Sequence, residues 1–490
     1  MRRMQKYRGV DGRAPLEGVG VRVLVVGYVL LMLMAGGCMV GPDYQPPEAP
    51  QTATEIFVGE APEVETLAEW WQIFHDSVLT DLIARGIAAA PTVEAARERL
   101  RAARAQREQT EAEFWPKFTS SGAYTFSRSW DGKESSKGWN KRIGASVDAQ
   151  WELDLFGKVR RSQERAEAEE EQLAYSLQDV RVSLAAEIAS AYVDARRYAA
   201  QIDIAEANLA LQERNLGRVR KRCESGDAPR YDLYSAEAQV SRTRASLPVL
   251  YQSLNQTQLL LDRLCGLTPY ATRDRLMEAL DTMELPTDVP RIPQNDLLRR
   301  RADVRMAEAA IHAQTAAVGV AEAALYPSFS LSGSLGLSSP DLAPWSSYTR
   351  TLSLGPSFSW NIFAFGYWQK QVESAKATLL ATVADYRDTV LKAYQEAETA
   401  WTAYRHEAAR AQDLQRTEQA CRQALDVADK LYELGEKDIE DVLSQQSALL
   451  TAQEALVSHR ADLFADMITL YKALGGGWAD SEQAPDADAS

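Results

Sequence analysis

At 490 residues the chain has room for two to four domains, and its 8% aromatic content with long Ala-, Gln-, Arg-, Glu- and Leu-rich stretches favours extended helices over a compact mixed core. A net charge of −15 argues against a nucleic-acid partner, which would need a basic surface.

Arg2, Arg3, Lys6, Arg8, Arg13 and Arg22 precede the apolar run Val23 to Met34. The run is too short to span a bilayer and has positive flanks, so residues 1–37 read as a secretory signal. It ends in Ala35-Gly36-Gly37-Cys38, small residues before a cysteine. That ending resembles a bacterial lipoprotein signal, which implies acylation of Cys38, although Ala35 stands where such signals usually carry Leu. Met39 in place of Asp implies sorting to the outer membrane. Acyl chains would anchor the chain at roughly 0.8 kcal/mol per buried methylene. Cys223, Cys265 and Cys421 are odd in number and lack CxxC spacing, so neither a disulfide framework nor a zinc site is indicated.

Residues 38–69 form a Pro-rich arm with no periodicity. Trp70-Trp71-Gln72-Ile73-Phe74 opens ordered structure. Asp76 or Ser77 caps a helix reaching about Ala89, and Pro91 starts another that stops before Pro116. The period then changes from helical to alternating. Phe118, Tyr124, Phe126 and Trp130 share one face, opposite Thr119, Ser121, Thr125, Ser127 and Ser129. After the polar loop Asp131 to Asn140, the residues Ile143, Ala145, Val147, Ala149, Trp151 and Leu153 alternate with Gly144, Ser146, Asp148, Gln150 and Glu152. Helix is expected from about Lys158 to Cys223 and again from Arg230 to Leu264, with a bend at Pro248.

The second half repeats the plan. Phe329, Leu331, Leu335 and Leu337 alternate with serines, and Leu352, Leu354, Phe358, Trp360 and Ile362 alternate with Ser353, Gly355, Ser357, Ser359 and Asn361. Helix follows from Tyr367 to Leu434 and on to Leu474. Trp151 and Trp360, Gly157 and Gly366, Gly226 and Gly435, and Gly266 and Gly475 are each 209 residues apart, the mark of an internal duplication. The boundaries are a first repeat at 70–285 (β-hairpin 118–153, helical hairpin 158–266), a second at 286–477 (β-hairpin 328–363, helical hairpin 366–475) and an acidic, disordered tail at 478–490. Leu233, Val240, Leu247, Leu254 and Leu261 recur by sevens, as do Val442, Leu449, Leu456, Leu463 and Leu470, which implies coiled-coil packing of helices about 100 Å long.

The fold class expected is an all-α tunnel plus a membrane β-barrel, with four strands per chain that have one apolar and one small polar face. Four strands cannot close a barrel, and an open edge cannot face lipid, so several chains must complete it. Three chains would give twelve strands and a wet lumen.

Several motifs resemble the TolC-like outer-membrane efflux protein family, specifically its NodT-type (OprM-like) lipoprotein branch. They are Gly41-Pro42-Asp43-Tyr44, Trp151 to Gly157, Leu298-Arg299-Arg300-Arg301-Ala302-Asp303 (the family usually has Pro at Ala302), Tyr326-Pro327-Ser328 and Tyr471 to Trp478. The resemblance implies a homotrimer with a twelve-stranded barrel and a twelve-helix periplasmic tunnel. It implies an exit duct for drugs or other small toxic compounds that meets a periplasmic adaptor and an inner-membrane transporter of RND type. It implies no enzymatic activity, cofactor or metal. Carried onto the turns between the long helices, it implies a gate link of Asp232 with Tyr432, Lys437 contacting the neighbouring turn, and Asp441 as an acidic ring; Ser444 stands where some members have an inner Asp. Trp151, Gly157, Trp360 and Gly366 mark the barrel–tunnel junctions, with Phe156, Phe363 and Phe365 near the lipid interface.

No catalytic constellation is present. His75, His312, His406 and His459 are scattered without HExxH, GxSxG or Walker spacing. Two other readings compete with a drug duct: a protein-secretion duct of the same fold, and a structural coiled-coil lipoprotein, which would explain the helices but not the strands.

Overall fold

The computed structural model describes residues 38–48, 68–128, 139–273, 294–340 and 348–478. The signal peptide, most of the Pro-rich arm, Trp130, Trp345, most of the segment joining the halves and nearly all of the acidic tail lie outside the described residues.

A 3-10 turn at Trp70–Phe74 comes first. Helix α1 (Ser77–Ala89) starts where Asp76 accepts hydrogen bonds from the amides of Val78 at 2.8 Å and Leu79 at 3.0 Å, which makes it the N-cap. Pro91 opens α2 (Pro91–Glu111), a first-turn position where its missing N–H costs nothing. Strands β1 (Lys117–Ser127) and β2 (Asn140–Leu153) lead to the long helices α3 (Lys158–Glu224) and α4 (Arg230–Leu264). The second series is α5 (Gln294–Arg300), α6 (Ala302–Ala323), β3 (Ser328–Ser339), β4 (Thr349–Ser359), α7 (Tyr367–Glu433) and α8 (Ile439–Ala473).

The duplication is exact in the long helices. Helices α3 and α7 have 67 residues each, α4 and α8 have 35 each, and both pairs start 209 positions apart. Upstream the offset is different: α2 and α6 begin 211 positions apart, at Pro91 and Ala302, as do Pro116 and Pro327. The change falls between the strands of each hairpin, so the second connection is two residues shorter. Six of the repeated glycines, 157, 226, 266, 366, 435 and 475, all take positive φ between 67° and 82°. The repeat therefore conserves backbone conformation as well as spacing.

The chain divides into two compact units, and each draws on both repeats. The first comprises Met1–Gln45, Arg104–Ala168 and Ile311–Ala381; the second comprises Pro46–Ala103, Glu169–Ala310 and Thr382–Ser490.

In the first unit the strands form one antiparallel sheet in the order β1-β2-β3-β4. The two hairpins join through β2 and β3. Register places Phe118, Ala149, Gly333 and Leu354 in one row across the sheet, and Thr119, Asp148, Ser334 and Ser353 in another. Every apolar position picked out by alternation within the strands falls on the same face as the first row, and the serines fall on the other. Strand β4 is shorter than the alternation suggests: it stops at Ser359, and Trp360 and Ile362 lie beyond it. There the Ile362 amide bonds the Trp360 carbonyl at 3.1 Å and the chain turns toward Gly366.

In the second unit, fully buried Trp70 stacks on Tyr471 at 5.8 Å, and Phe74 meets Phe464 edge-on at 5.4 Å. Asp76 also accepts from the Tyr192 hydroxyl at 2.8 Å and from Arg196 at 3.1 Å. Burial, with Arg196 opposing it, pushes the Tyr192 phenol well above its ordinary range. Of the heptad positions, Val240, Leu254, Leu261, Val442, Leu449, Leu463 and Leu470 are buried, while Leu233, Leu247 and Leu456 are half-buried. No described helix is long and apolar enough to cross a membrane.

Candidate functional site

The sheet supplies a wall with two chemistries. Its apolar face is bare within one chain: Phe118, Tyr124, Phe126, Val147, Leu335, Leu352, Leu354 and Phe358 are all exposed. Its polar face carries hydroxyl contacts, with Ser121 Oγ and Ser330 Oγ each 2.9 Å from Ser146 Oγ and Ser357 Oγ respectively, and Ser146 donating to Asp148 at 2.7 Å. An apolar outside and a hydrated inside is the division a lipid-facing pore requires. Strands β1 and β4 have free edges, which hydrocarbon would not tolerate.

At the two junctions the tryptophans do the same job. The Trp151 indole N–H donates to the Phe114 carbonyl at 2.8 Å, and that of Trp360 donates to the Leu325 carbonyl at 3.1 Å. Each ties the end of a strand pair to the turn that enters the sheet. Beyond them the junctions differ. At the first, the Asp154 carboxylate accepts the amides of Val159 at 3.1 Å and Arg160 at 3.0 Å, and Phe156 stacks on Tyr326 at 4.8 Å. A Cβ on Gly157 would lie 2.6 Å from Met39 Cγ and 2.9 Å from Met39 Cα, so only glycine fits. At the second, Trp360, Ile362, Phe363 and Phe365 are exposed, and a Cβ on Gly366 would meet nothing. Phe156 is thus stacked within the chain and Trp151 is half-buried, whereas Trp360, Phe363 and Phe365 are exposed.

What covers the first junction is the segment after Cys38. The Val40 amide bonds the Phe156 carbonyl at 3.2 Å. Arg161, 1% exposed, donates to the carbonyls of Val40 and Gly41 at 3.2 Å each, and to Asp43 and Glu164 at 2.7 Å each. Tyr44 stacks on His312 at 4.3 Å, and His312 lies 3.3 Å from Glu164. Met39 to Tyr44 is therefore a strap fastened to α3 and α6, and the Gly-Pro-Asp-Tyr motif supplies its fastenings. Cys38 is exposed at the head of the strap. Sequence reasoning found the motif but missed Arg161, which looks like any other helical arginine.

The turns between the long helices close identically. The amides of Gly226 and Asp227 bond the carbonyls of Cys223 at 3.2 Å and Arg222 at 2.8 Å; those of Gly435 and Glu436 bond Tyr432 at 3.1 Å and Leu431 at 2.9 Å. This is a Schellman closure, with glycine at the left-handed position. Asp232 and Asp441 are repeat equivalents, 209 apart, one in the first turn of each return helix. Tyr432 is buried among Val219, Leu425, Ala428, Ile439 and Val442, with the Arg222 guanidinium 5.0 Å from its ring centre. Burial and the charge of Asp438 raise the Asp232 carboxyl, Arg222 opposes them, and Glu440 adds to the rise. Lys437 pairs with Asp441 at 3.2 Å, on its own turn. Among the described residues no hydrogen bond within one chain joins Asp232 to Tyr432, and Arg222 is the group near both. Ser444 is exposed on α8, five residues after its start.

The Leu298 to Asp303 motif is a clamp. Buried Arg301 grips Asp303 with two hydrogen bonds of 3.0 and 2.7 Å, and reaches Glu396 of α7 at 2.7 Å and the Ala473 carbonyl of α8 at 3.1 Å. The Trp478 indole caps the Arg300 carbonyl at 2.9 Å. The described cysteines are all free. Burial first, then the nearby Asp262, pushes the Cys265 thiol up to about 11, that of a packed and unreactive group. No group of side chains that could hold a metal occurs among the described residues.

The comparisons follow the same geometry. The family model described as outer membrane efflux protein matches residues 82–267 and 294–476. Nodulation protein T of Rhizobium leguminosarum bv. viciae is 30% identical over 466 residues, 94% of this chain and 95% of that protein. The probable efflux pump outer membrane protein TtgC of Pseudomonas putida is 28% identical over 483 residues, 95% of this chain and 98% of its own length. The solved outer-membrane channel OprN shares 31% identity and a TM-score of 0.82, over 90% of this chain and all of that one.

Proposed function

This chain belongs to the outer membrane efflux protein family and is the outer-membrane channel of an efflux pump, and we propose that three copies close it into a passive, gated duct. The observation that carries the duct is the four-stranded sheet with one bare apolar face, one hydroxyl-lined face and two free edges. The duct sits in the outer membrane and extends into the periplasm. Its relatives are efflux channel proteins, not enzymes. Cys38 is its acylation site, and the strap that begins there holds the anchor against the first junction. The duct receives drugs or other small toxic compounds from a periplasmic adaptor and an inner-membrane transporter of RND type. A pump component fits better than a secretion duct because the lipoprotein signal and the branch motifs occur together.

The gate is placed at the turns. Asp232 and Tyr432 form the closing link, Lys437 contacts the neighbouring turn, and Asp441 lines the constriction. The twofold occurrence of the first-turn aspartate and the elevated carboxyl of Asp232 support this placement. In planar bilayers the full-length protein should give small, closed-state conductances, and a Tyr432→Phe, Asp232→Ala variant should raise them several-fold. No conductance from properly assembled protein would overturn the duct, and an unchanged variant would overturn the gate alone. Acid should also weaken cation preference. Asp232 is charged above its raised pKa and loses that charge as pH falls through it, so selectivity measured by reversal potential should decline before the ordinary aspartate value of 3.8 is reached.

A further inference from the structure

The chain contains a template for its own contact with a second copy. Strands β2 and β3 belong to different repeats, and their pairing is an interface between repeats inside one chain. If repeats alternate around a closed ring, the free edge of β4 meets the free edge of β1 in the next copy in the same way. We propose that this seam has one register, fixed by the internal one, and that Phe365 of one copy stacks on Trp115 of the next. The inference rests on the trimeric reading above and adds the pairing of the seam.

In β2 and β3, partner numbers always add to 482, as in Ile143 with Ser339 and Leu153 with Phe329. Strand β4 follows β2 by 209, and β3 follows β1 by 211. Raising one partner by 209 and lowering the other by 211 turns the sum into 480. Leu354 then faces Phe126, Gly355 faces Thr125 and Ile362 faces Phe118, each residue number read from this chain and its copy. The register keeps apolar residues on the apolar face all round, although face matching was not used to derive it.

Three further observations agree. The same mapping carries the Phe156–Tyr326 stack onto Phe365 and Trp115, again two aromatic rings. Phe365 is fully exposed and Trp115 is 72% exposed in the single chain, so each lacks a cover that the other supplies. Arg161, packed on Gly319, maps onto Lys370 against Glu108, two exposed residues of opposite charge. Strand β1 is exposed at every position and β4 at all but one, whereas β2 and β3 are largely half-buried.

Oxidative cross-linking of the full-length protein in outer membranes tests the register. Directly opposed residues in an antiparallel pair lie within disulfide reach, and residues displaced by two do not. A Gly355→Cys, Thr125→Cys variant should give a covalent three-chain species at about tenfold the yield of Gly355→Cys with Ala123→Cys or with Ser127→Cys. The single variants control for the native thiols. Trp115→Ala and Phe365→Ala should each lower the temperature at which the oligomer dissociates, and the double variant should fall no further than the worse single one. Preferred cross-linking of a displaced pair in a conducting trimer would overturn the register while leaving the duct intact. Labelling of Phe365→Cys and Trp115→Cys by a lipid-phase reagent would overturn the stack, showing that lipid covers these rings. Protein that neither assembles nor conducts would overturn both the seam and the duct.

Discussion

Arg301→Ala should destabilise the helical unit by about 3 kcal/mol, at the lower end of what removing one partner of a buried ion cluster costs. The guanidinium is buried and makes four hydrogen bonds, two to Asp303, one to Glu396 and one to the Ala473 carbonyl. It therefore joins the start of α6 to α7 and to the end of α8, and alanine would leave two carboxylates and a carbonyl facing a cavity. The figure is held low because Glu396 is 41% exposed and can turn to water. Arg301→Lys should recover only part of the loss, since an ammonium cannot grip both oxygens of Asp303 in a planar fork. The deficit should also depend on pH. Burial and the charge of Asp303 raise the Asp179 carboxyl, while Lys472 and Arg301 hold the rise in check. Without Arg301 the folded pKa climbs further above the unfolded one. A carboxyl so raised costs stability above its unfolded pKa, and the cost disappears as pH falls toward it. Thermal loss of far-ultraviolet ellipticity should thus separate variant from wild type more at neutral than at mildly acidic pH. Equal midpoints at neutral pH would show that the cluster is decorative.

Local rules made most of the fold legible. Pro91 in a first turn set one helix start to the residue, the choice of Asp76 or Ser77 as cap set another to within one residue, and six glycines at one offset marked six left-handed positions. Alternation gave each strand its two faces, but face matching excludes only odd shifts of register, so the pairing seen in the sheet was not itself legible. What escaped was long-range pairing of charge. Arg299, Arg300 and Arg301 look alike in sequence, and only the third is buried, because only it meets Glu396 and the end of α8. Arg222 gave no signal either: its repeat equivalent is Leu431, so duplication hides it rather than repeating it. The end of β4 was missed for a related reason. Alternation runs on through Trp360 and Ile362, but in one chain no partner strand holds those residues.

Duplication also explains why the two junctions, so alike in sequence, are unlike in structure. Each chain has two junctions and one N-terminal strap. Gly157 is closed over by Met39, whereas Gly366 is open. The first junction is therefore finished inside the chain, whereas the second is open there. The bare Phe365 and the free edge of β4 stand on that same second side, which is the side that the proposed seam would cover.

Arg161→Ala should release the strap without unfolding the chain. Its side chain is 1% exposed and holds the carbonyls of Val40 and Gly41, so alanine leaves both without their donor and opens a cavity beneath them. The ion pair with Asp43 adds little, since that carboxylate is 83% exposed and screened by water. A local loss of about 3 kcal/mol from the two unpaired carbonyls multiplies the open strap population by about a hundredfold. Limited proteolysis between Met39 and Tyr44 should accelerate by that factor, while the protection of α3 itself barely changes. Gly41→Val reaches the same state from the opposite side. Gly41 has φ of 93°, and a Cβ there would stand 2.5 Å from the Cα of Gly319, so valine forces the strap off without touching any charge. Agreement between the two variants would assign the effect to the strap rather than to the lost cation. In both, the proposed acylation of Cys38 should persist, and Phe156 and Gly157 would gain exposure as the strap lifts. Unchanged cleavage in both variants would show that Arg161 does not hold the strap, leaving that role to contacts such as the Val40–Phe156 hydrogen bond and the Tyr44–His312 stack.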